Sequence, residues 1–567
     1  MNNKEAWIYR IVLGFLCFCL IAVGVGLYVF YVHQQALEAL LGNLKTSELC
    51  QSKTAQCGPC SVIIDRARPW ARMQQKVKNT VVQVIVQAAQ FNWLEPYATP
   101  EQGEVAGSGF FINDRGHFIT NAHVVSQGKA FAIQVPGLGK ERLDVSVVGV
   151  CFDRDIALMK VSDDGLAMMR KEFGKLSYLR LGDSNTVNRG DEIMALGYPL
   201  GQEGIKSTVG VVSGRENMDH RQYIQIDAAI NPGSSGGPSL NLAGYVIGIN
   251  TAGVVGAQNV WYIIPANELK LVLDDLFERG HTTSKIVRKP LLGIVYNQSS
   301  PAMAQYLGNA HTGGVYISSV FKGSVFDRAG VKKGDMLCEI NGHAINSYGE
   351  LKVDWSEEKI PLENYAFYLK TGAPVSVVLY RGGKRVDLHV TFNDDSLPPV
   401  RMKYPEYEDI EYEVIGGLVL MELASNHLPL LLERVPSLIS YGHPKNHYKP
   451  AIVVTHVIPD SCAQRARVIY PGRRLKELNG VKIHDLDDVR IALQKSVKTG
   501  FVHVRCDDGN VAVFSLAQVL LDEPRLSQIY RYPISQSIIS LMPTAYDHEQ
   551  KKTRLIGPFS FAPSQPH

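Results

Sequence analysis

Between about Lys76 and Arg279 the chain is a succession of short apolar runs separated by turn residues, and this pattern limits the fold more than any other feature. The runs VVQVIV (81–86), FAIQV (131–135), DVSVVGV (144–150), EIMALGY (192–198), TVGVVSG (208–214) and YVIGINT (245–251) are of strand length and rich in Val and Ile. Gly, Asn and Asp fall between them. Branched side chains suit a pleated, half-buried surface, and strands at this spacing predict an all-β barrel or sandwich. The region closes on a helical pattern from Asn267 to Glu278, with leucines at 269, 271, 273 and 276 and a stop at Gly280.

Within that region the chemistry gathers around Gly233-Ser234-Ser235-Gly236-Gly237. The flanks, DAAINPGSSGGPSL (227–240), surround Ser235 with small residues, so the backbone can turn sharply and direct several N–H groups into one site. A nucleophilic serine needs a histidine base and a carboxylate to orient that base. Downstream of Ser235 the first histidine is His281, beyond the apparent end of the domain. Upstream, ITNAHVV (119–125) carries His123 at a strand end, and DRDIALMKV (153–161) places two acids, Asp153 and Asp155, at the start of an apolar strand. The order histidine, aspartate, serine differs from that of α/β-hydrolases and agrees with an all-β double barrel.

The blocks GSGFFINDRGHFITNAHVV (107–125), DRDIALMKV, LGYPLGQEGIKSTVGVVSGRE (196–216) and IQIDAAINPGSSGGP resemble the HtrA/Deg family of trypsin-like serine proteases. The resemblance implies two six-stranded β-barrels with the active site in the cleft between them. It implies His123 as general base, Asp155 as orienting acid (its D-I-A-L pattern selects Asp155 over Asp153) and Ser235 as nucleophile. The backbone N–H groups of Gly233 and Ser235 then form the oxyanion hole, which stabilises charge that develops in the transition state. The family's regulatory loops correspond to Gly182–Glu192, Gly214–Tyr223 and Thr251–Asn259, and Arg215 to its coupling arginine. The pocket before the scissile bond is expected near Ile230 and Asn250–Gly253; without an acid there, cleavage after small or aliphatic residues is expected. No cofactor or metal is expected.

Two smaller units follow. LLGIV (291–295) and GVYISSVFKGSVFDRAGVKKGDMLCEINGHAI (314–345) resemble a PDZ domain, whose exposed sheet edge captures a peptide C-terminus by strand addition. Leu292, Gly293 and Ile294 match its carboxylate loop, with Lys289 nearby. GGLVLMEL (416–423), IVVTHVIPDSCAQRARVIYPGRRLKELNGVKI (452–483) and DLDDVRIALQK (485–495) suggest a divergent second copy, similar to that of plant-type Deg proteases. There Gly472-Arg473 replaces the Gly-Asp of the first module, and a role in subunit assembly is an alternative to peptide binding. Between the modules lies the Pro- and charge-rich stretch DDSLPPVRMKYPEYED (394–409), which suits a linker.

Before the barrels, Ile11 to Val32 run 22 residues without a charge, long enough to cross a hydrocarbon core of ~30 Å as a helix. Lys4 and Arg10 precede the segment, so an uncleaved anchor with a cytoplasmic N-terminus and an exported remainder is expected, with a cleaved signal peptide and a buried helix as the alternatives. Of nine cysteines, Cys151, Cys338, Cys462 and Cys506 are isolated and read as small core residues. Cys50, Cys57 and Cys60 cluster in a polar stalk. Cys57-Gly-Pro-Cys60 matches the thioredoxin tetrapeptide, yet no apolar strand precedes it; a stalk disulfide, a redox pair, a zinc site and a subunit cross-link all stay open. Lys and Arg number 58 against 55 Asp and Glu, so no global basic field favours nucleic acid.

The expected chain is therefore mainly β: a chymotrypsin-like double β-barrel protease domain followed by two PDZ-like domains, with an N-terminal transmembrane helix. Its expected segments are a cytoplasmic stub and anchor (1–34), a stalk (35–72), the protease (73–281), a PDZ domain (286–395), a linker (396–409), a divergent PDZ-like domain (410–522) and a tail (523–567). The expected activity is ATP-independent endoproteolysis of misfolded exported proteins by a trimer or higher oligomer, facing the periplasm if the source is bacterial. A site-specific protease of a membrane signalling protein and a non-enzymatic PDZ chaperone or scaffold are the alternatives.

Overall fold

The computed structural model describes residues 69–542 apart from 203, 219, 254–258 and 393–396. The segment 11–32 and the cysteines at 50, 57 and 60 lie outside the described residues; among these no helix is long and apolar enough to cross a membrane. The elements below belong to one compact unit that starts at Trp70.

The short runs become two closed barrels. Strands β1 (Val81–Gln90), β2 (Glu101–Phe111), β3 (His117–Thr120), β4 (Gly128–Gln134), β5 (Leu143–Cys151) and β6 (Ile156–Val161) close in the order β1-β2-β3-β6-β5-β4. The closing pair sets Ile85 opposite Ala132. The second barrel, β7 (Glu192–Gly197), β8 (Lys206–Met218), β9 (Arg221–Ile226), β10 (Pro238–Asn241), β11 (Val246–Gly253) and β12 (Trp261–Pro265), closes in the order β10-β11-β12-β9-β8-β7. Closure leaves no unpaired sheet edge. VVQVIV is buried along its whole length, which is why it reads as a continuous apolar run. Val81, Phe110, Ile119 and Leu158 of the first barrel share one core with Met194, Leu196, Leu240 and Val246 of the second, and this fixes the walls of the cleft between them. The expected helix spans Ala266–Arg279 and buries Leu269, Val272 and Leu276.

Two open sheets follow. The first contains β13 (Ile294–Asn297), β14 (Val315–Val320), β15 (Met336–Ile340), β16 (His343–Ala344), β19 (Pro374–Arg381) and β20 (Lys384–Thr391), beside a separate hairpin of β17 (Glu350–Leu351) and β18 (Ile360–Pro361). The second contains β21 (Tyr412–Ile415), β22 (Leu418–Glu422), β23 (Ile452–Val457), β24 (Arg474–Leu478), β25 (Val481–Lys482), β26 (Phe501–Cys506) and β27 (Val511–Ser515). Its core takes in Leu516, Val519 and Leu520 of the helix Leu516–Tyr530, and Ile538 and Leu541 beyond it, so folded structure runs past 522. Cys151, Cys338, Cys462 and Cys506 are free and buried.

The two modules repeat one device with altered polarity. Gly293 and Gly417 both adopt positive φ, and a Cβ on either would collide with a helix-capping serine, Ser324 and Ser461 respectively. In the first module Asp335 is buried and pairs with Arg381 at 2.7 Å. In the second, Arg473 pairs with Asp508 at 3.0 Å. The Gly-Arg that departs from the Gly-Asp pattern is thus matched by a reversed charge on the facing hairpin.

The stretch between the modules lies on the first barrel. Tyr404 and Tyr407 pack against that barrel's core, and Tyr407 Oη donates to the Val125 carbonyl at 2.9 Å. The β1–β2 connection also grips the second module: Trp93 meets His427 edge-on at 5.2 Å, and Tyr97 sits among Tyr530 and Tyr532.

Candidate active site

His123 lies in the single helical turn Ala122–Val125 that follows β3. Asp155 follows the tight turn Phe152–Arg154 and opens β6 with φ 53°, a left-handed conformation that Asp tolerates better than most residues. The twist directs its carboxylate at His123. Nδ1 of His123 lies 2.9 Å from both Asp155 oxygens, and the His123 backbone N–H donates to Oδ1 at 2.9 Å. An ionised carboxylate only accepts, so Nδ1 carries the proton and Nε2 is left as a base. Thr251 Oγ1 of the second barrel donates to Asp155 Oδ2 at 2.8 Å. Burial alone pushes the His123 pKa down; the hydrogen bond and charge of Asp155 outweigh this and hold it above its ordinary value. Burial likewise pushes Asp155 up, and its bonds to His123 and Thr251 bring it below the usual carboxylate range.

Ser235 sits on the second barrel's side. The turn before β10 is tied by Ser234 N–H to the Asn231 carbonyl at 2.9 Å and Gly237 N–H to the Ser234 carbonyl at 3.1 Å. Gly233 has φ +94°, and a Cβ there would meet the Tyr198 carbonyl at 2.5 Å. The Pro232 carbonyl accepts from Leu200 N–H at 2.6 Å, so peptide planarity turns the Gly233 N–H to the opposite side. Neither that N–H nor the Ser235 N–H has an acceptor among the described residues, as a pair of donors reserved for an oxyanion would require. Ser235 Oγ donates to the Thr251 carbonyl at 3.0 Å, and no hydrogen bond joins it to His123 in this arrangement. Catalytic hydrogen bonds without substrate are often open in this way.

Ser108, a residue whose role no motif marks, braces this turn. Fully buried, it donates through Oγ to the Gly233 carbonyl at 2.7 Å and accepts there from Tyr198 N–H at 2.9 Å. Its backbone N–H donates to the Ser235 carbonyl at 2.8 Å. Thr251, expected only as part of a loop, touches both the acid and the serine. Hydroxyl residues are common enough that spacing alone flags neither.

Ile230 and Asn250 line a small cavity together with Leu196, Asn231 and Ser234, and the buried Asn250 amide is fixed there by donating to the Leu196 carbonyl and accepting from Ser239. Ile230 joins the second barrel's core. The stretch Gly214–Tyr223 is largely a β8–β9 hairpin rather than a loop, because Arg215 pairs with Ile224 and Glu216 with Tyr223 across it. Arg215 joins Gly214–Tyr223 to Gly182–Glu192, donating to the Ser184 carbonyl at 2.5 Å. Lys289 Nζ lies 3.9 Å from the Phe367 ring centre, and its N–H donates to Asp153 at 3.1 Å. Asp153, the rival acid, therefore faces the connector to the first module.

The two modules differ at the edge where a peptide would add. In the first, β13 is a terminal strand whose outer edge follows Leu292 and Gly293. In the second, the outer edge of β22 is taken by β21 through the turn Gly416-Gly417, with Ile415 opposite Leu418.

The double barrel, the carboxylate–imidazole pair and the serine turn define the class of trypsin-like serine endopeptidases, here followed by two PDZ modules. The trypsin-like peptidase domain family matches residues 107–249, and PDZ domain families match 290–392 and 402–538. A probable periplasmic serine endoprotease, DegP-like, of Rhizobium meliloti is 30% identical over 404 residues, 70% of this chain and 71% of that one. The periplasmic pH-dependent serine endoprotease DegQ of Escherichia coli is 32% identical over 305 residues, 52% of this chain and 60% of its own. A solved HtrA-type protease AlgW with decapeptide is 23% identical, covers 57% of this chain and 99% of that one, and superposes with a TM-score of 0.44. The chain belongs to the HtrA/Deg family of PDZ-bearing serine endoproteases.

Proposed function

We propose that this protease hydrolyses peptide bonds of unfolded exported proteins through His123, Asp155 and Ser235, held at the membrane by the apolar segment 11–32. The observation that carries the reading is the Asp155–His123 pair on one barrel facing Ser235 on the other, with Thr251 touching both the acid and the serine. On substrate binding, Ser235 Oγ turns from the Thr251 carbonyl to His123 Nε2 and attacks the scissile carbonyl as His123 takes its proton. The Gly233 and Ser235 N–H groups receive the oxyanion, and His123 passes the proton to the leaving amine. Water then hydrolyses the acyl-enzyme by the same route.

The unpaired edge of β13 beside Leu292, Gly293 and Ile294 supports capture of peptide C-termini by the first PDZ domain, while β21 already fills that place in the second. The second domain serves architecture, gripping the first barrel through Trp93 and Tyr97. A family of periplasmic relatives supports an exported catalytic half, and assembly as a trimer or larger is part of the same reading. The test is degradation of an unfolded protein with and without peptides ending in an apolar carboxylate. Stimulation together with many cleavage sites is expected. A single cut confined to one membrane partner would instead support the site-specific alternative.

A further inference from the structure

The turn Phe152–Arg154, directly before Asp155, is held by several separate parts of the chain. Phe152 stacks face to face on Tyr404, with ring centres 3.5 Å apart, and meets Tyr407 edge-on at 5.2 Å. Asp153 accepts from Lys289 N–H in the connector to the first PDZ domain. Arg154, 1% exposed, lies 3.6 Å from the equally buried Glu268, and its guanidinium sits over Phe367 of the first PDZ domain at 5.6 Å. Its carbonyl accepts from Arg221 at 2.7 Å.

The Tyr404–Tyr407 segment is itself anchored. Glu408 accepts from Arg288 at 2.9 Å, from Arg401 at 3.1 Å and from Tyr404 N–H at 3.0 Å. Glu406 pairs with Lys129 at 2.7 Å. Tyr407 ties the segment to Val125, two residues after His123, while Tyr404 ties it to Phe152, three residues before Asp155. One strap therefore backs both segments that carry the acid–base pair. Asp155 has no slack of its own: its left-handed backbone costs energy unless surrounding contacts determine it.

Given the triad reading above, we infer that the inter-PDZ stretch Arg401–Glu408 is a positioning strap, in which Tyr404 acts through Phe152 to hold Asp155 against His123. A displacement near 1 Å at a reacting group costs on the order of 10²-fold in rate, so loss of one stacked ring should cost roughly 10-fold or more.

The test uses the full chain in detergent and an unfolded protein as substrate, with kinetics followed across pH. Tyr404→Leu is expected to lower kcat about 10-fold with KM within about twofold. Because Asp155 is what raises the His123 pKa, the acid limb of kcat/KM should move to lower pH. Tyr404→Phe keeps the ring and should restore both rate and limb. Arg385→Ala, which removes an exposed ion pair on β20 of the first PDZ domain, should change neither. Unchanged kcat and limb in Tyr404→Leu, or a loss that Tyr404→Phe shares, overturns the inference. Asp155→Asn separates the two claims: if it retains full activity the triad reading fails, whereas if it is inactive and Tyr404→Leu is silent only the strap fails.

Discussion

Ser108→Ala tests whether the oxyanion turn is held by this one buried hydroxyl. The substitution removes a methyl-sized polar group from a fully buried site and leaves the Gly233 carbonyl and the Tyr198 N–H without their partner. Each buried group left unpaired costs about 1–3 kcal/mol, so the native turn loses some 2–6 kcal/mol relative to arrangements that satisfy them elsewhere. The cheapest escape is rotation of the turn, which takes the Gly233 N–H away from the oxyanion position. Losing one such donor costs about 10²–10³-fold in kcat. The expected result is a kcat lowered within that range, a KM nearly unchanged and slower labelling of Ser235 by a fluorophosphonate. Thermal melting, followed in parallel, should show a modest loss. A variant that melts several degrees lower yet keeps wild-type kcat would refute the link between Ser108 and the turn.

Three further outcomes are expected. Asp155→Asn should lower kcat by about 10⁴-fold, since Nδ1 would then no longer be held as the donor; single-turnover kinetics measure this. Glu523 is buried against Tyr532 in the second PDZ domain, and burial, with the Asp522 and Glu413 charges, pushes it up to about 7. The folded state then holds a proton that the unfolded state releases at its ordinary value, so stability falls as pH rises from about 4.5 to 7. Glu523→Gln should flatten this dependence and stabilise the protein at pH 8 by a few kcal/mol, read from denaturant melts. Calorimetric titration with an apolar C-terminal peptide should lose its signal in Gly293→Val, which places a side chain against Ser324, and should be unaffected by Leu418→Met in the second domain.

Much of this molecule was legible in its sequence because closed barrels and nucleophile turns demand local patterns. VVQVIV and IALM are buried along their length, and the His, Asp and Ser blocks each carry their own turn chemistry. What escaped the sequence depends on long-range partners. Tyr404 and Tyr407 sit in a Pro- and charge-rich stretch that reads as a linker, and only the tertiary fold sets them against Phe152. The 523–542 stretch lacks strong periodicity, with Pro524 inside its helix, yet Leu526 and Ile538 are fully buried. The Gly-Arg of the second PDZ domain reads as a lost feature in sequence, because its partner Asp508 lies 35 residues away and is brought opposite it only by the fold.

The most direct test of the catalytic account compares wild type with Ser235→Ala for degradation of an unfolded protein by the full chain. Wild type should degrade it and the variant should fall to background, several orders of magnitude slower. Equal degradation by the two would mean that Ser235 is not the nucleophile and would contradict the account.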